Sequence, residues 1–438
     1  MASAPTIFAL SSGSPPSGVS VIRLSGPGAF AALAALAGKP GKPRQLVLRN
    51  LKDSLTHEAI DRALTVRFPA PHSFTGEDCA EIHCHGSRAV VDRLLTLFGA
   101  MEGCRLAEPG EFTRRAFENG RLDLTQVEGI GDLIAAQTEA QRRQAVRRMQ
   151  GALAGRLKDW RERIIGLRAE VEARLDFADE GDVASALPAT FAAQITTLKD
   201  EIEAALAGFS SGRLIREGVR VAIAGSPNAG KSTLLNRLAK SDIAIVTAIA
   251  GTTRDVIEVP LDLGGYFFVL ADTAGLRATA DPIESEGVRR AEARIEASDL
   301  VLHLVAPDSE DLTVLAPKGV EVWRIGSKGD LGEASVPDLL MEISALSGAG
   351  MELLIAALRQ FAERGGAGEE AGVVSRARDR EHLLAAAEAL TGAAERLKAP
   401  ELLAEELRRA SDALGRLAGA IDAEDVLDRL FAGFCIGK

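Results

Sequence analysis

Val221-Ala222-Ile223-Ala224-Gly225-Ser226-Pro227-Asn228-Ala229-Gly230-Lys231-Ser232-Thr233 decides how this chain is read. The apolar opening reads as a strand. The stretch from Gly225 to Ser232 fits G-x-x-x-x-G-K-[ST], and Leu234-Leu235-Asn236-Arg237-Leu238 behind it reads as a helix. Strand, glycine-rich turn and helix in that order make a cradle for phosphate. The glycines let the backbone curl until amides face phosphate oxygens, and the helix N-terminus favours an anion. Lys231 is placed to reach the β/γ-phosphates, and the Ser232 hydroxyl to ligate Mg²⁺.

Further motifs follow in the order such a site requires. Asp272-Thr273-Ala274-Gly275 closes a strand-like run. A carboxylate there can hold Mg²⁺ through water, and Gly275 lets an amide sense the γ-phosphate. Between the two lies Gly251-Thr252-Thr253-Arg254-Asp255, where a threonine can complete the Mg²⁺ shell. Ser327-Lys328-Gly329-Asp330 stands where the guanine base is read. Asp330 can accept from the ring N–H and exocyclic amine, and the Lys328 stem can pack on the base. Ser327 replaces the usual asparagine, so one side-chain amide is missing. Ser344-Ala345-Leu346 matches the element that supports the base. The motifs predict a GTPase. Leu276 follows Gly275, where many small GTPases have a water-orienting glutamine. Leucine cannot hydrogen-bond, so another group must orient the attacking water and supply positive charge.

The rest of the chain sets this module among others. With 438 residues it is too long for a single core. Its 46% apolar and 26% charged content excludes a disordered or fibrous chain. No apolar run is long enough to span a bilayer. The first residues read poorly as a signal peptide, and four cysteines are too few for a disulfide scaffold. A cytoplasmic protein is expected. A net charge of −11 argues against indiscriminate nucleic-acid binding but leaves room for a local basic face.

Residues 1–119 read as mixed α/β, with strands at 19–24, 46–48 and 63–68 and a helix at 88–98. Residues 120–215 read as long helices, broken near 176–182 and Pro188. Residues 216–366 alternate strands with helices, as a parallel sheet does. Residues 367–438 return to helix, with Leu403, Leu407, Ala410, Leu414, Leu417 and Ile421 on one apolar stripe. The module at 216–366 either interrupts one helical domain or separates two.

Beyond the nucleotide motifs, Phe74-Thr75-Gly76-Glu77-Asp78 and Pro109-Gly110-Glu111-Phe112-Thr113 carry a resemblance, as do Arg115-Ala116-Phe117 and Asn119-Gly120-Arg121-Leu122-Asp123-Leu124. It ends in Phe434-Cys435-Ile436-Gly437-Lys438. Together these resemble the MnmE (TrmE) family of tRNA modification GTPases, within the TrmE–Era–EngA-like superfamily, over essentially the full length. The resemblance implies an amino-terminal α+β domain like the folate-binding aminomethyltransferases, a long-helix domain, and an inserted Ras-like G domain. It implies nucleotide contacts at Asn228, Ala229, Gly230, Lys231, Ser232, Thr233, Thr247, Ile249, Gly251, Thr252 and Thr253. More are implied at Asp272, Thr273, Ala274, Gly275, Ser327, Lys328, Asp330, Ser344 and Ala345. Mg²⁺ falls to Ser232 and Thr253, and K⁺ to Asn228, Thr247, Ile249 and Thr252. Catalysis falls to Lys231, Asp272 and Glu284. The residues alone do not choose Glu284 over Glu286 for the water.

A tetrahydrofolate derivative, 5-formyl or methylene, is implied at Arg23, Glu81, Arg121 and Lys438. Family members usually carry lysine where Arg121 stands, which keeps the charge and changes the geometry. The family implies a homodimer and an FAD-dependent partner, MnmG, joined in a heterotetramer with no membrane involved. It implies transfer of a (carboxymethyl)aminomethyl group to carbon 5 of wobble uridine 34 of tRNA. A ribosome-assembly GTPase switch is the alternative, but no KH-type RNA module is evident. A folate-dependent one-carbon transferase with an accessory G module is a third.

Other signals have plainer readings. Cys79, His83, Cys84 and His85 fit no zinc spacing, and an alternating strand explains them better. The basic residues between Arg142 and Arg168 read as a solvated helix face or a tRNA contact. Cys435 is a candidate substrate-site thiol or a structural one.

Overall fold

The computed structural model describes residues 4–176, 186–245, 258–272, 293, 295–309, 319–332, 336, 338–366, 372–421, 427, 430, 431, 433, 434, 436 and 437. The chain divides into two units, Met1–Gly131 with Leu414–Lys438, and Asp132–Ala413.

The first unit is built on six strands: β1 (Thr6–Leu10), β2 (Ser17–Ser25), β3 (Val47–Lys52), β4 (Ala59–Phe68), β5 (Cys79–Gly86) and β6 (Cys104–Leu106). Their order is β3-β4-β5-β2-β1-β6. Neighbours run antiparallel except β1 and β6. Helices Ala29–Ala37 and Arg88–Gly99 contribute Leu33, Leu94 and Phe98 to a core shared with Phe8, Ile22, Leu24 and Ile82. Ile7 and Ala9 alternate with Phe8 and form a separate cluster with Phe112 of helix Glu111–Glu118. Alternation also accounts for the cysteine–histidine run. Ala80, Ile82 and Cys84 of β5 point into the core, while Cys79 lies on the other face with Glu81, His83 and His85, where His83 pairs with Glu81 and His85 with Asp61. Among the described residues no cluster could hold a metal ion.

The carboxy-terminal residues belong to this unit. Ile436 bridges Pro109, and the Ser11 hydroxyl donates to the Gly437 carbonyl at 2.8 Å. Gly110 caps helix Glu111–Glu118 at φ 69°, and an added Cβ would lie 2.7 Å from the Phe431 ring. Backbone and packing both demand glycine there.

The second unit combines helices with a parallel sheet. Helices Glu139–Met149, Ala152–Asp176, Phe191–Ala207 and Phe209–Glu217 precede the sheet, and Ala377–Glu395 and the part of Pro400–Ala418 up to Ala413 follow it. Helix Phe191–Ala207 packs on helix Ala377–Glu395, across the intervening module. The stripe Leu403, Leu407, Ala410, Leu414 and Leu417 is fully buried. The expected basic face is not continuous. Gly151 separates two helices, and Arg142 and Arg143 bond Glu139. Arg163 bonds Glu201, and Arg168 bonds Glu172. Arg148 is 0% exposed: it donates to Asp379 at 2.7 Å, the Val373 carbonyl at 2.5 Å and the Ser375 hydroxyl at 3.2 Å.

The sheet comprises β7 (Val219–Gly225), β8 (Glu258–Asp262), β9 (Phe267–Asp272), β10 (Leu300–Val305), β11 (Glu321–Gly326) and β12 (Met341–Glu342). Their order is β12-β11-β10-β7-β9-β8, all parallel except the β8–β9 pair. β8 carries Pro260 and lies at the end of that order, where a missing N–H is tolerated. Val221, Ile223, Leu235, Leu270, Leu302 and Leu354 fill the core. The chain enters the module through Gly218 and returns through Gly372, Val373 and Val374. An added Cβ on Gly208 would lie 3.2 Å from the Gly372 Cα, and one on Gly212 would lie 2.3 Å from the Val374 oxygen. Entry and exit are therefore neighbours.

Candidate functional site

β7 delivers the glycine-rich turn to the carboxyl edge of the second sheet, the edge where open α/β sheets bind ligands. Gly225 has φ 144°, and an added Cβ would lie 2.5 Å from the Leu304 carbonyl. Asn228 at φ 66° and Gly230 at φ 94° turn the loop twice through left-handed backbone. Such turns point amides into an anion-binding concavity. Gly230 then starts helix Lys231–Ala239, with no acidic side chain in the first turn to oppose an anion.

Lys231 folds over this loop. Its Nζ donates to the Gly225 carbonyl at 2.8 Å and the Ser226 carbonyl at 2.9 Å. Burial lowers the Lys231 pKa, and the Asp272 charge opposes that shift. Asp272 ends β9 opposite Ile223 of β7, and its Oδ2 accepts from the Ser232 hydroxyl at 3.1 Å. An ammonium, a hydroxyl and a carboxylate thus converge beside the loop. Hydroxyl and carboxylate are hard oxygen donors of the kind Mg²⁺ takes alongside phosphate oxygens and water, so Ser232 and Asp272 fit that ion. Ser309, which the motifs did not single out, donates through its hydroxyl to the Ser226 hydroxyl at 3.3 Å. Only the folded connection after β10 reveals it.

The base-reading motifs meet as well. Ser327 is buried and donates its N–H to Val305 at 2.8 Å. Lys328 sits at φ 55°, and the Gly329 N–H bonds the Ile343 carbonyl at 3.1 Å. The Ser344 hydroxyl donates to Asp330 Oδ1 at 2.5 Å and accepts from the Ser347 N–H at 3.1 Å. Ala345 packs on the core beside them. Thr233 lies in the loop-following helix. Thr247, Ile249, Gly251, Thr252, Thr253, Thr273, Ala274, Gly275, Glu284, Cys435 and Lys438 lie outside the described residues.

The first unit holds a cavity of about 350 Å³, a size suited to a small molecule. Arg23, Glu81 and Arg121 line it together, with Arg44, Phe68 and Phe74. The Arg23 Nε donates to Glu81 Oε1 at 3.0 Å, and its guanidinium lies 5.5 Å from the Phe74 ring centre. His83 Nε2 is 3.0 Å from Glu81 Oε2. Burial pushes the Glu81 carboxyl up, but the His83 hydrogen bond and the Arg23 charge outweigh it and hold the pKa below the usual value. Glu81 is therefore an anionic acceptor in a half-apolar pocket. An aromatic wall beside a carboxylate suits a flat heterocycle bearing N–H donors.

The motifs around the pocket serve as its frame. Ser25 bonds Thr75 at 2.7 Å and Glu77 at 2.6 Å. Arg115 bonds Glu77 at 3.0 Å and Glu111 at 3.0 Å, and Arg105 grips Glu111 through two nitrogens. Asn119 donates to the Thr75 carbonyl at 2.7 Å.

Two family models match the chain: the MnmE helical domain over residues 124–435 and the GTP-binding protein TrmE N-terminus over residues 6–121. The tRNA modification GTPase MnmE of Parvibaculum lavamentivorans is 52% identical over 99% of this chain and 100% of its own length. Its namesake from Rhodopseudomonas palustris (strain CGA009) is 49% identical over 99% of both. Among solved structures, Era in complex with MgGDPNP and 16S ribosomal RNA nucleotides is 26% identical. It covers 33% of this chain and 56% of that one, with a TM-score of 0.28. Among the described residues, no helix is long and apolar enough to cross a membrane.

Proposed function

Given that the chain belongs to the MnmE family of tRNA modification GTPases, we propose how its two sites divide the work. The convergence of Lys231, Ser232 and Asp272 beside the Gly225–Gly230 loop carries the reading. Lys231 neutralises the β/γ-phosphates, and Asp330 reads guanine while Ser344 holds its carboxylate in place. Ser232 and Asp272, joined by Thr253, hold Mg²⁺, which balances charge on the phosphate oxygens. Glu284 orients the attacking water, because Leu276 cannot. Asn228, with Thr247, Ile249 and Thr252, holds K⁺ where an arginine finger would otherwise point. Lys231 and Asp272, with Glu284, are the catalytic set, and the modules act as pairs across a homodimer.

The amino-terminal pocket holds a tetrahydrofolate derivative, which supplies the one-carbon unit. Glu81 accepts from the pterin, Phe74 walls its face, and Arg23 and Arg121 complete the binding set, with Lys438 reaching in from the tail. Cys435 serves the substrate site. With an FAD-dependent MnmG partner, in a heterotetramer, the chain takes part in modifying carbon 5 of the wobble uridine. GTP hydrolysis rearranges that complex. The work falls to segments 1–119, 120–215, 216–366 and 367–438, and the setting is the cytoplasm.

The test is GTP turnover in K⁺ against Na⁺ at equal ionic strength. K⁺ should stimulate strongly, and Asn228→Ala should lose that stimulation while keeping the slow Na⁺ rate. Equal rates in both salts would remove K⁺ and its ligands from the scheme.

A further inference from the structure

Arg44 is a residue no motif marked. It lies between helix Ala29–Ala37 and β3, at φ 60°. Left-handed backbone is costly for a residue with a Cβ and persists only where surroundings impose it. Three contacts impose it here. The Arg44 N–H donates to the Arg67 carbonyl at 2.9 Å. Its guanidinium donates to the His72 carbonyl, and it lies 5.7 Å from the Phe68 ring centre. Phe68 and His72 line the same cavity as Arg44. The side chain is solvent-exposed, and these contacts hold it at the cavity wall.

The charge of the cavity is unbalanced. Its wall carries Arg23, Arg44 and Arg121 against one carboxylate, Glu81, which Arg23 engages at 2.9 Å. Among the described residues no carboxylate stands within ion-pair distance of Arg44 or Arg121. A guanidinium has five N–H donors, and the carbonyl of His72 uses part of that set. What remains suits a carboxylate, which a planar fork grips well.

We propose that Arg44 binds a carboxylate at the tail end of the pocket's ligand, with Arg121 as the second cation facing it. This rests on the folate reading above and deepens it. The pterin end takes the Glu81–Phe74 side, and the glutamate tail of the folate takes the Arg44 side. Arg44 is then a binding residue that selects a folate over a bare pterin.

Calorimetry on the full chain tests this with 5-formyltetrahydrofolate and the same compound without its glutamate, 5-formyltetrahydropteroate. Arg44→Gly is the informative variant, because glycine adopts φ 60° without strain and should leave Tm unchanged or raised. Wild type should favour the glutamate-bearing ligand. Arg44→Gly should weaken that ligand about ten-fold, the scale of a lost charge-assisted hydrogen bond. It should leave the truncated ligand within about two-fold, and Arg44→Lys should recover part of the loss. Equal weakening of both ligands, or of neither, would overturn the role of Arg44 and leave the folate reading standing. Failure of wild type to bind either ligand would overturn both.

Discussion

Lys231→Ala should lower kcat/KM for GTP by roughly 10²–10³-fold or more, the cost of removing one preorganised charge donor from a reacting phosphate. The side chain lies folded on the Gly225 and Ser226 carbonyls, so its ammonium is already where a phosphate chain must come. Burial costs this ammonium free energy, as its lowered pKa records. Alanine gives up the two carbonyl hydrogen bonds but relieves that burial cost, so Tm should change little. Lys231→Arg should also fail, because a planar fork does not replace a compact ammonium inside a tight loop. The measurement is steady-state phosphate release, with nucleotide binding read by fluorescence. Turnover within ten-fold of wild type would mean that the phosphates sit elsewhere.

Arg148→Met should be the most destabilising single change in the helical part of the second unit, by about 3–5 kcal/mol. It leaves Asp379, 0% exposed, without the guanidinium 2.7 Å away. The cost lies in the stranded charge rather than in the worth of the pair. Replacing both residues by apolar ones, Arg148→Met with Asp379→Leu, should accordingly recover much of the loss. Burial pushes the Asp379 carboxyl up, but the Arg148 charge and hydrogen bond outweigh it and hold the pKa below the ordinary 3.8. A depressed pKa contributes stability above the ordinary value that is lost as the pH falls through the native one. The difference between wild type and Asp379→Asn should thus be full at neutral pH and shrink below about pH 4. Denaturant unfolding followed by far-UV circular dichroism reads all three. A double variant no better than the sum of its parts would refute the argument.

What could be read in advance was local. The phosphate loop, the Asp272 motif and the Asp330–Ser344 pair encode their own geometry over a few residues, and their strands and helices followed from apolar spacing. Pro260 argues against a strand at Glu258–Asp262 unless that strand lies at an edge, and edges are a property of the assembled sheet. Arg148 looked like one more cation in a basic run. Its partner lies 231 residues away, where no periodicity reaches. Arg44 was silent because its meaning comes from backbone strain and from Phe68 and His72, which are distant in sequence. The Thr75, Glu77 and Glu111 motifs were noticed through resemblance, but their role as a frame of paired charges emerged only from the contacts.

The insertion of the G module also dictates an order of events at the ribosome. Helix Phe191–Ala207 packs on helix Ala377–Glu395, so 169 residues, 208 to 376, lie between the end of one and the start of the other. At ~5–20 residues per second the first helix waits roughly 10–30 s for its partner. Through that interval the side chains of Phe191, Ile195, Leu198 and Ile202, buried in the finished protein, have no mate from the later helix. The G module, whose strands are complete by β12, has time to fold meanwhile, and its closely placed ends bring the late helix back to the early one. The nascent chain must therefore carry this helix without its later partner through more than a third of its synthesis, a burden of the architecture that the folded protein no longer displays.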